Sequence, residues 1–150
     1  MPFLLDSAIG FVVGRTSHVM GNSFRTAVSA AGHSVTHEEW GILSRLWERD
    51  GQRPAELADA TIRDRSTVTR LLDGMVKKGL VRREEDPSDR RALQTWLTPE
   101  GRTLREELIP VAEELLSRAT RGISKKDLRV TVQTLRRFQA NLSEPDDEGD

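Results

Sequence analysis

The chain has 150 residues, 31% of them charged and 5% aromatic, with no cysteine and a formal net charge of −1. That length suits one domain with a core of its own, and the missing thiols exclude disulfides and thiolate metal sites. No apolar run approaches the roughly 20 residues of a membrane-spanning helix, and Asp6 interrupts the apolar start with no basic segment before it. Neither a membrane partner nor a secretory signal is expected, so the expected location is the cytoplasm.

In chain order, a long first helix is expected from about Leu4 to Ala31. Leu5, Ile9, Val12, Val13, Thr16, Val19, Met20 and Phe24 fall on one broad face that should be buried. Gly10, Gly14 and Gly21 each cost roughly 1 kcal/mol against Ala in a helix interior, which predicts close packing against another helix or a kink. Gly32 ends the helix. Thr36-His37-Glu38-Glu39 then reads as a capping box. The helix it opens turns Trp40, Leu43, Leu46 and Trp47 toward the core and stops at Asp50-Gly51. Pro54 stands where a first helical turn tolerates proline, ahead of a short amphipathic helix carrying Ala55-Glu56-Leu57-Ala58. A turn through Ile62 and Arg63 follows.

The next helix runs from about Arg65 to Lys78, with Asp64 as N-cap and Gly79 at the left-handed position beyond its end. Val68, Leu71, Leu72, Met75 and Val76 form its inward stripe, which leaves Ser66, Thr67, Arg70, Asp73 and Lys77 outward. Two strand-like runs come next, Leu80–Glu84 and Leu93–Leu97, around a loop Glu85-Asp86-Pro87-Ser88-Asp89-Arg90-Arg91. Thr98-Pro99-Glu100 opens a further helix with Leu104, Leu108, Val111, Leu115 and Leu116 on one side, and Pro110 predicts a bend or break near Glu106. Ser124 caps a last helix that lines up Leu128, Val132, Leu135, Phe138 and Leu142. The acidic stretch after Ser143 is expected to be disordered.

Helix, turn, helix and a basic-tipped hairpin make a winged helix-turn-helix, a device for reading duplex DNA. The fold class is therefore mainly α with a small β-hairpin wing. Residues 34–97 form the DNA-binding lobe, 4–31 and 98–142 form flanking helices whose apolar faces exceed what one small domain covers, and 143–150 form a tail. Short hydroxyls at Ser66 and Thr67 let a helix sink into the major groove, and Arg70 can bond a guanine edge bidentately. An ordinary solvated helix face would carry similar residues; the positively charged hairpin behind this one argues for DNA.

The run Arg65-Ser66-Thr67-Val68-Thr69-Arg70-Leu71-Leu72-Asp73, with Lys77-Lys78-Gly79-Leu80-Val81 after it, resembles the recognition helix and exit of the MarR family (multiple antibiotic resistance regulator). Asp86-Pro87-Ser88-Asp89-Arg90-Arg91 and Leu97-Thr98-Pro99-Glu100-Gly101 resemble that family's wing and the start of its next helix. The resemblance implies a bacterial transcription factor, expected to be a repressor. It implies a homodimer joined through first and last helices on a palindromic operator, and release by a small effector, often an aromatic or phenolic acid. Two recognition helices related by a two-fold axis would match half-sites about 34–36 Å apart.

On this reading the DNA-contacting residues are Arg65, Ser66, Thr67, Thr69, Arg70 and Lys77 of the recognition helix and Asp89, Arg90 and Arg91 of the wing. The resemblance implies that Arg91 enters the minor groove, steadied by Asp89 two residues before it, with Arg90 on a phosphate or the groove edge. Arg82 and Arg83 are expected to be structural or backbone contacts. Arg15, His18 and Trp40 are candidate effector-pocket residues. The cysteine-based peroxide sensing of some MarR-like proteins is excluded.

Charge constrains this reading. Glu144, Asp146, Asp147, Glu148 and Asp150 place −5 in the last eight residues, leaving +4 for the rest. From Arg53 to Arg91, ten Lys or Arg meet eight Asp or Glu, a modest +2. Orientation must therefore supply a local basic stripe along Arg70, Lys77, Arg90 and Arg91.

Other chemistries have little support. His33 and His37 are four apart, but Gly32 and a loop separate them from a continuous helix, so no metal site is expected. No nucleophile motif, phosphate-cradling loop or carboxylate pair suggests an enzyme, and no cofactor is expected. The alternative is a winged helix used as an architectural or protein-interaction module without sequence preference.

Overall fold

The computed structural model describes residues 8–61 and 63–143, the Arg90 side chain excepted. Six helices and one antiparallel hairpin occupy this span: α1 (Ile9–Ala30), α2 (His37–Glu48), α3 (Pro54–Thr61), α4 (Arg65–Lys77), β1 (Val81–Asp86), β2 (Asp89–Leu97), α5 (Pro99–Ala119) and α6 (Lys125–Ser143). The chain divides into two compact units, with the boundary between Leu115 and Leu116. Leu4 to Ser7, Ile62 and the acidic tail lie outside the described residues, and with them the expectations placed on Leu5, on Ile62 and on tail disorder.

Helix ends follow their local signals. Thr36 Oγ1 accepts from the Glu39 N–H (3.1 Å) while Glu39 Oε1 accepts from the Thr36 N–H (3.2 Å), a reciprocal capping box. At the end of α4 the Gly79 N–H bonds the Val76 carbonyl and the Leu80 N–H bonds the Met75 carbonyl, both at 3.0 Å. That pairing is a Schellman motif, and Gly79 supplies its positive φ of 74°. Thr98 caps α5 by accepting from Gly101 N at 3.0 Å, and Ser124 caps α6 from Asp127 N at 3.0 Å. α5 runs unbroken through Pro110, so of the bend or break expected near Glu106 the break does not occur. The N–H that proline lacks is a single rung, and the helix continues on both sides of it.

In the first unit the core joins α1 through Phe24 and Val28, α2 through Ile42, Leu43 and Leu46, and α3 through Leu57 and Ala58. Val35 just before α2, Val68, Leu72 and Met75 of α4, Val81 and Leu97 of the hairpin, and Leu104 and Leu108 of α5 complete it. Each large aliphatic buried there is worth roughly 1.5–3 kcal/mol. Trp40 and Trp47 pack at its edge, ring centroids 5.4 Å apart, and the Trp47 indole donates to the Gly101 carbonyl at 2.9 Å.

Two expected buried faces differ from expectation within the single chain. On α1 only Phe24 and Val28 are buried, whereas Ile9, Val12, Val13, Val19 and Met20 are exposed. A Cβ at Gly10 or Gly14 would meet open space, and one at Gly21 only the His37 Cβ at 3.8 Å, so the close packing expected of those glycines is not made by this chain alone. Val76 of α4 is also 40% exposed, having rotated past the edge of the inward stripe.

Candidate nucleic-acid interface

Geometry at the start of α4 is set by Asp64. Its Oδ1 accepts from the Thr67 N–H (2.7 Å) and the Ser66 hydroxyl (2.7 Å), and its Oδ2 accepts from the Thr67 hydroxyl (2.9 Å). The Ser66 hydroxyl first, then the Thr67 amide and hydroxyl, hold the Asp64 carboxyl down at about 2, below the usual carboxylate range. One turn on, the Thr69 hydroxyl donates to the Arg65 carbonyl at 2.8 Å.

With Val68, Leu72 and Met75 buried, Ser66, Arg70, Asp73 and Lys77 fall at i, i+4, i+7 and i+11 on the opposite, exposed face. Arg65 and Thr69 flank that face on the side of the wing. Asp73 does not stand alone: the Arg83 guanidinium of β1 donates to its Oδ1 at 2.6 Å. A carboxylate that would repel phosphates is thereby partly neutralised, and the wing is tied to the helix.

The wing differs from the expected seven-residue loop. β1 continues to Asp86 and β2 begins at Asp89, so the turn is only Pro87-Ser88. Glu85 pairs with Leu93, but the next residue, Asp86, pairs with Asp89. Arg90, Arg91 and Ala92 lie between those two partner positions, in a bulge of β2 rather than at a loop tip. Asp89 Oδ1 accepts from the Arg91 backbone N–H at 3.0 Å, so what it steadies is the main chain of the bulge. The Arg91 side chain is exposed, and the Arg90 side chain lies outside the described residues.

A second strut comes from a residue that local pattern did not single out. The Arg53 guanidinium pairs with the buried Asp86 carboxylate, which also accepts from the Ser88 N–H (2.9 Å) and hydroxyl (2.7 Å). Arg53 above all, then Ser88, hold the Asp86 carboxyl at about 2, and the same contact raises Arg53. Arg82, expected to be structural, pairs with Glu84 and lies 6.0 Å from the Trp96 ring centre. Between the starts of α3 and α4 and the wing runs a groove of about 390 Å³, bordered by Arg53, Arg65, Thr69, Arg83, Asp89 and Arg91. Four guanidiniums around one concavity suit phosphate oxygens.

The effector candidates are not brought together. Trp40 borders a groove of about 460 Å³ with Gly41, Ser44, Arg45, Thr61 and Arg63, while Arg15 and His18 are exposed on α1 and do not line it. His18 Nε2 instead lies 3.1 Å from Asn22 Nδ2. His33 pairs with Glu107, and no cluster of potential metal ligands occurs among the described residues. No described helix is long and apolar enough to cross a membrane.

Residues 35–93, which contain α2 to α4 and most of the wing, match the MarR family model. The chain belongs to the MarR family. It is 33% identical over 107 residues to the HTH-type transcriptional regulator TtmR of Methylorubrum extorquens, a match that covers 71% of this chain and 54% of that relative. The chain thus spans about half the length of TtmR. A probable transcriptional regulator from Pseudomonas aeruginosa shares the fold with a TM-score of 0.82 at 27% identity, over 90% of this chain and 99% of that one. CouR from Rhodococcus jostii, whose crystal structure is bound to p-coumaroyl-CoA, aligns with a TM-score of 0.76 at 27% identity, over 91% of this chain and 95% of that one. Within this MarR-family architecture α3 and α4 form the helix-turn-helix and β1–β2 the wing.

Proposed function

We propose that this MarR-family chain regulates transcription, as a repressor, by binding a palindromic operator as a homodimer. The observation that carries the reading is the exposed α4 face, Ser66, Arg70 and Lys77, braced against a wing whose bulge presents Arg91. α4 enters the major groove, with Arg70 on a guanine edge and Lys77 on a phosphate. Arg65 and Thr69 face the backbone, and Arg91 reaches into the flanking minor groove with Arg90 and Asp89 beside it.

Two exposed apolar faces support pairing of chains. α1 exposes Ile9, Val12, Val13 and Val19; α6 buries none of its residues and exposes Val132, Phe138 and Leu142. Patches of that kind are ordinarily covered by a partner. Release by an aromatic acid is supported by the groove beside Trp40 and by the aromatic acyl group of the p-coumaroyl-CoA bound to CouR. Arg15 and His18 belong to this pocket only if the partner's α1 crosses the groove.

Footprinting of the full chain on the DNA upstream of its own gene, with sedimentation of the same sample, tests the proposal. A dimer protecting an inverted repeat of about 16–20 base pairs is expected, with protection lost on adding a hydroxycinnamic acid. A monomer that binds promoter and random duplex alike would refute it in favour of a non-specific module. Alanine at Trp40, Arg15 or His18 should raise the acid concentration needed for release.

A further inference from the structure

A hydroxyl is normally an undecided reader of bases, since it can donate to a keto oxygen or accept from an amine. On α4 that choice has been removed. Ser66 and Thr67 both lie within hydrogen-bond distance of Asp64 carboxylate oxygens, and Thr69 within the same distance of the Arg65 carbonyl. An ionised carboxylate and a carbonyl can only accept, so each of the three hydroxyl protons is directed inward. The low-lying Asp64 carboxyl, at about 2, remains ionised throughout the neutral range. What Ser66 and Thr67 offer outward is lone pairs alone.

Ser66 lies on the exposed midline of α4 with Arg70, Asp73 and Lys77, and Asp73 is occupied by Arg83. The face therefore carries acceptors at its N-terminal end and a guanidinium donor one turn later. In the major groove the donors are the exocyclic amines, N4 of cytosine and N6 of adenine; guanine O6 and thymine O4 only accept.

Resting on the DNA-binding reading above, we infer that Ser66, aided by Thr67, is a specificity-determining acceptor that selects an amino-bearing base, adenine or cytosine, and rejects guanine and thymine at that position. Asp64 is the positioning residue that makes it so without touching DNA. Arg70 selects the guanine one turn further along α4.

The test starts with a bound sequence selected from random duplexes by the full-length protein. Each adenine in it is then replaced by purine and each cytosine by 2-pyrimidinone, analogues that lack only the amine. The wild-type chain should lose about five-fold in affinity at one amine-bearing position, the worth of one neutral hydrogen bond. Ser66→Ala should bind the parent duplex about five-fold more weakly and lose less than two-fold further on amine removal. Asp64→Asn, with an unchanged circular-dichroism spectrum, should admit guanine or thymine there, because its amide no longer compels both hydroxyls to donate inward. Amine sensitivity that persists in Ser66→Ala, or a sequence-specific wild type with no amine-sensitive position, overturns the inference and leaves the DNA-binding reading intact. A protein that selects no sequence at all overturns both.

Discussion

An added Cβ at Gly101 would lie 2.1 Å from the Leu80 carbonyl oxygen and 3.3 Å from Leu97 Cδ2. The oxygen belongs to the backbone just before β1, so it cannot swing aside, and the first turn of α5 would have to lift from the base of the wing. The Trp47 indole, which donates to the Gly101 carbonyl, would lose its partner in the same movement. Gly101→Ala should cost about 3 kcal/mol in urea unfolding followed by tryptophan fluorescence. A second residue-scale effect concerns acid. Asp64 and Asp86 titrate at about 2 in the folded chain, whereas an unfolded aspartate takes its proton near 3.9. As pH falls the unfolded state binds protons first, so their contribution is complete above about pH 4 and lost by about pH 2. Denaturation midpoints measured from pH 5 to 2 should fall through that window, and less steeply for Asp86→Asn, whose side chain no longer titrates.

Recognition helix and wing are separate elements with separate ways of reading DNA, and substitutions in each should look different. Arg70→Ala removes a contact to a base edge and should cost about 1–3 kcal/mol on the preferred duplex while flattening preference at one position. Arg91→Ala should weaken binding to all sequences alike and reduce the salt slope by about 1. Competition binding at several salt concentrations distinguishes them; equal effects on matched and mismatched duplexes from both variants would contradict the division of labour. The parts of this arrangement that the sequence made legible are those written in neighbouring residues. Thr36 with Glu39, Asp64 with Thr67, and Gly79 after Lys78 are short-range signals, each completed within one helical turn. The wing was legible as a hairpin but not in detail, because Asp86-Pro87-Ser88-Asp89 has a composition equally suited to a long loop, and the bulge at 90–92 depends on pairing across the strands. Arg53 with Asp86, and Lys78 with Glu39 (2.7 Å), join residues far apart in the chain and have no spacing rule to reveal them. Likewise the hydroxyls of α4 were visible as residue types, whereas their partners depend on how the first turn of the helix folds.

At the scale of the whole molecule the question is what the apolar surface is for. Among the described residues, none of α6 is buried. Phe138 is 43% exposed and Leu142 86% exposed, on the same side as Val132. A face kept apolar from Leu128 to Leu142, about four helical turns, is a liability for an isolated chain in water, where it favours association of some kind. If that association is the proposed two-fold dimer, introducing charge into the stripe should convert dimer to monomer without unfolding the first unit. Val132→Asp with Phe138→Asp should sediment as a monomer, keep the helical circular-dichroism spectrum, and lose the dependence of melting temperature on protein concentration that a dimer shows. Its affinity for the inverted repeat should drop to that of a single half-site, because the second recognition helix would no longer be held at a fixed spacing. An unchanged dimer in the doubly charged variant would place the interface elsewhere, with the exposed stripe of α1 as the remaining apolar face to substitute.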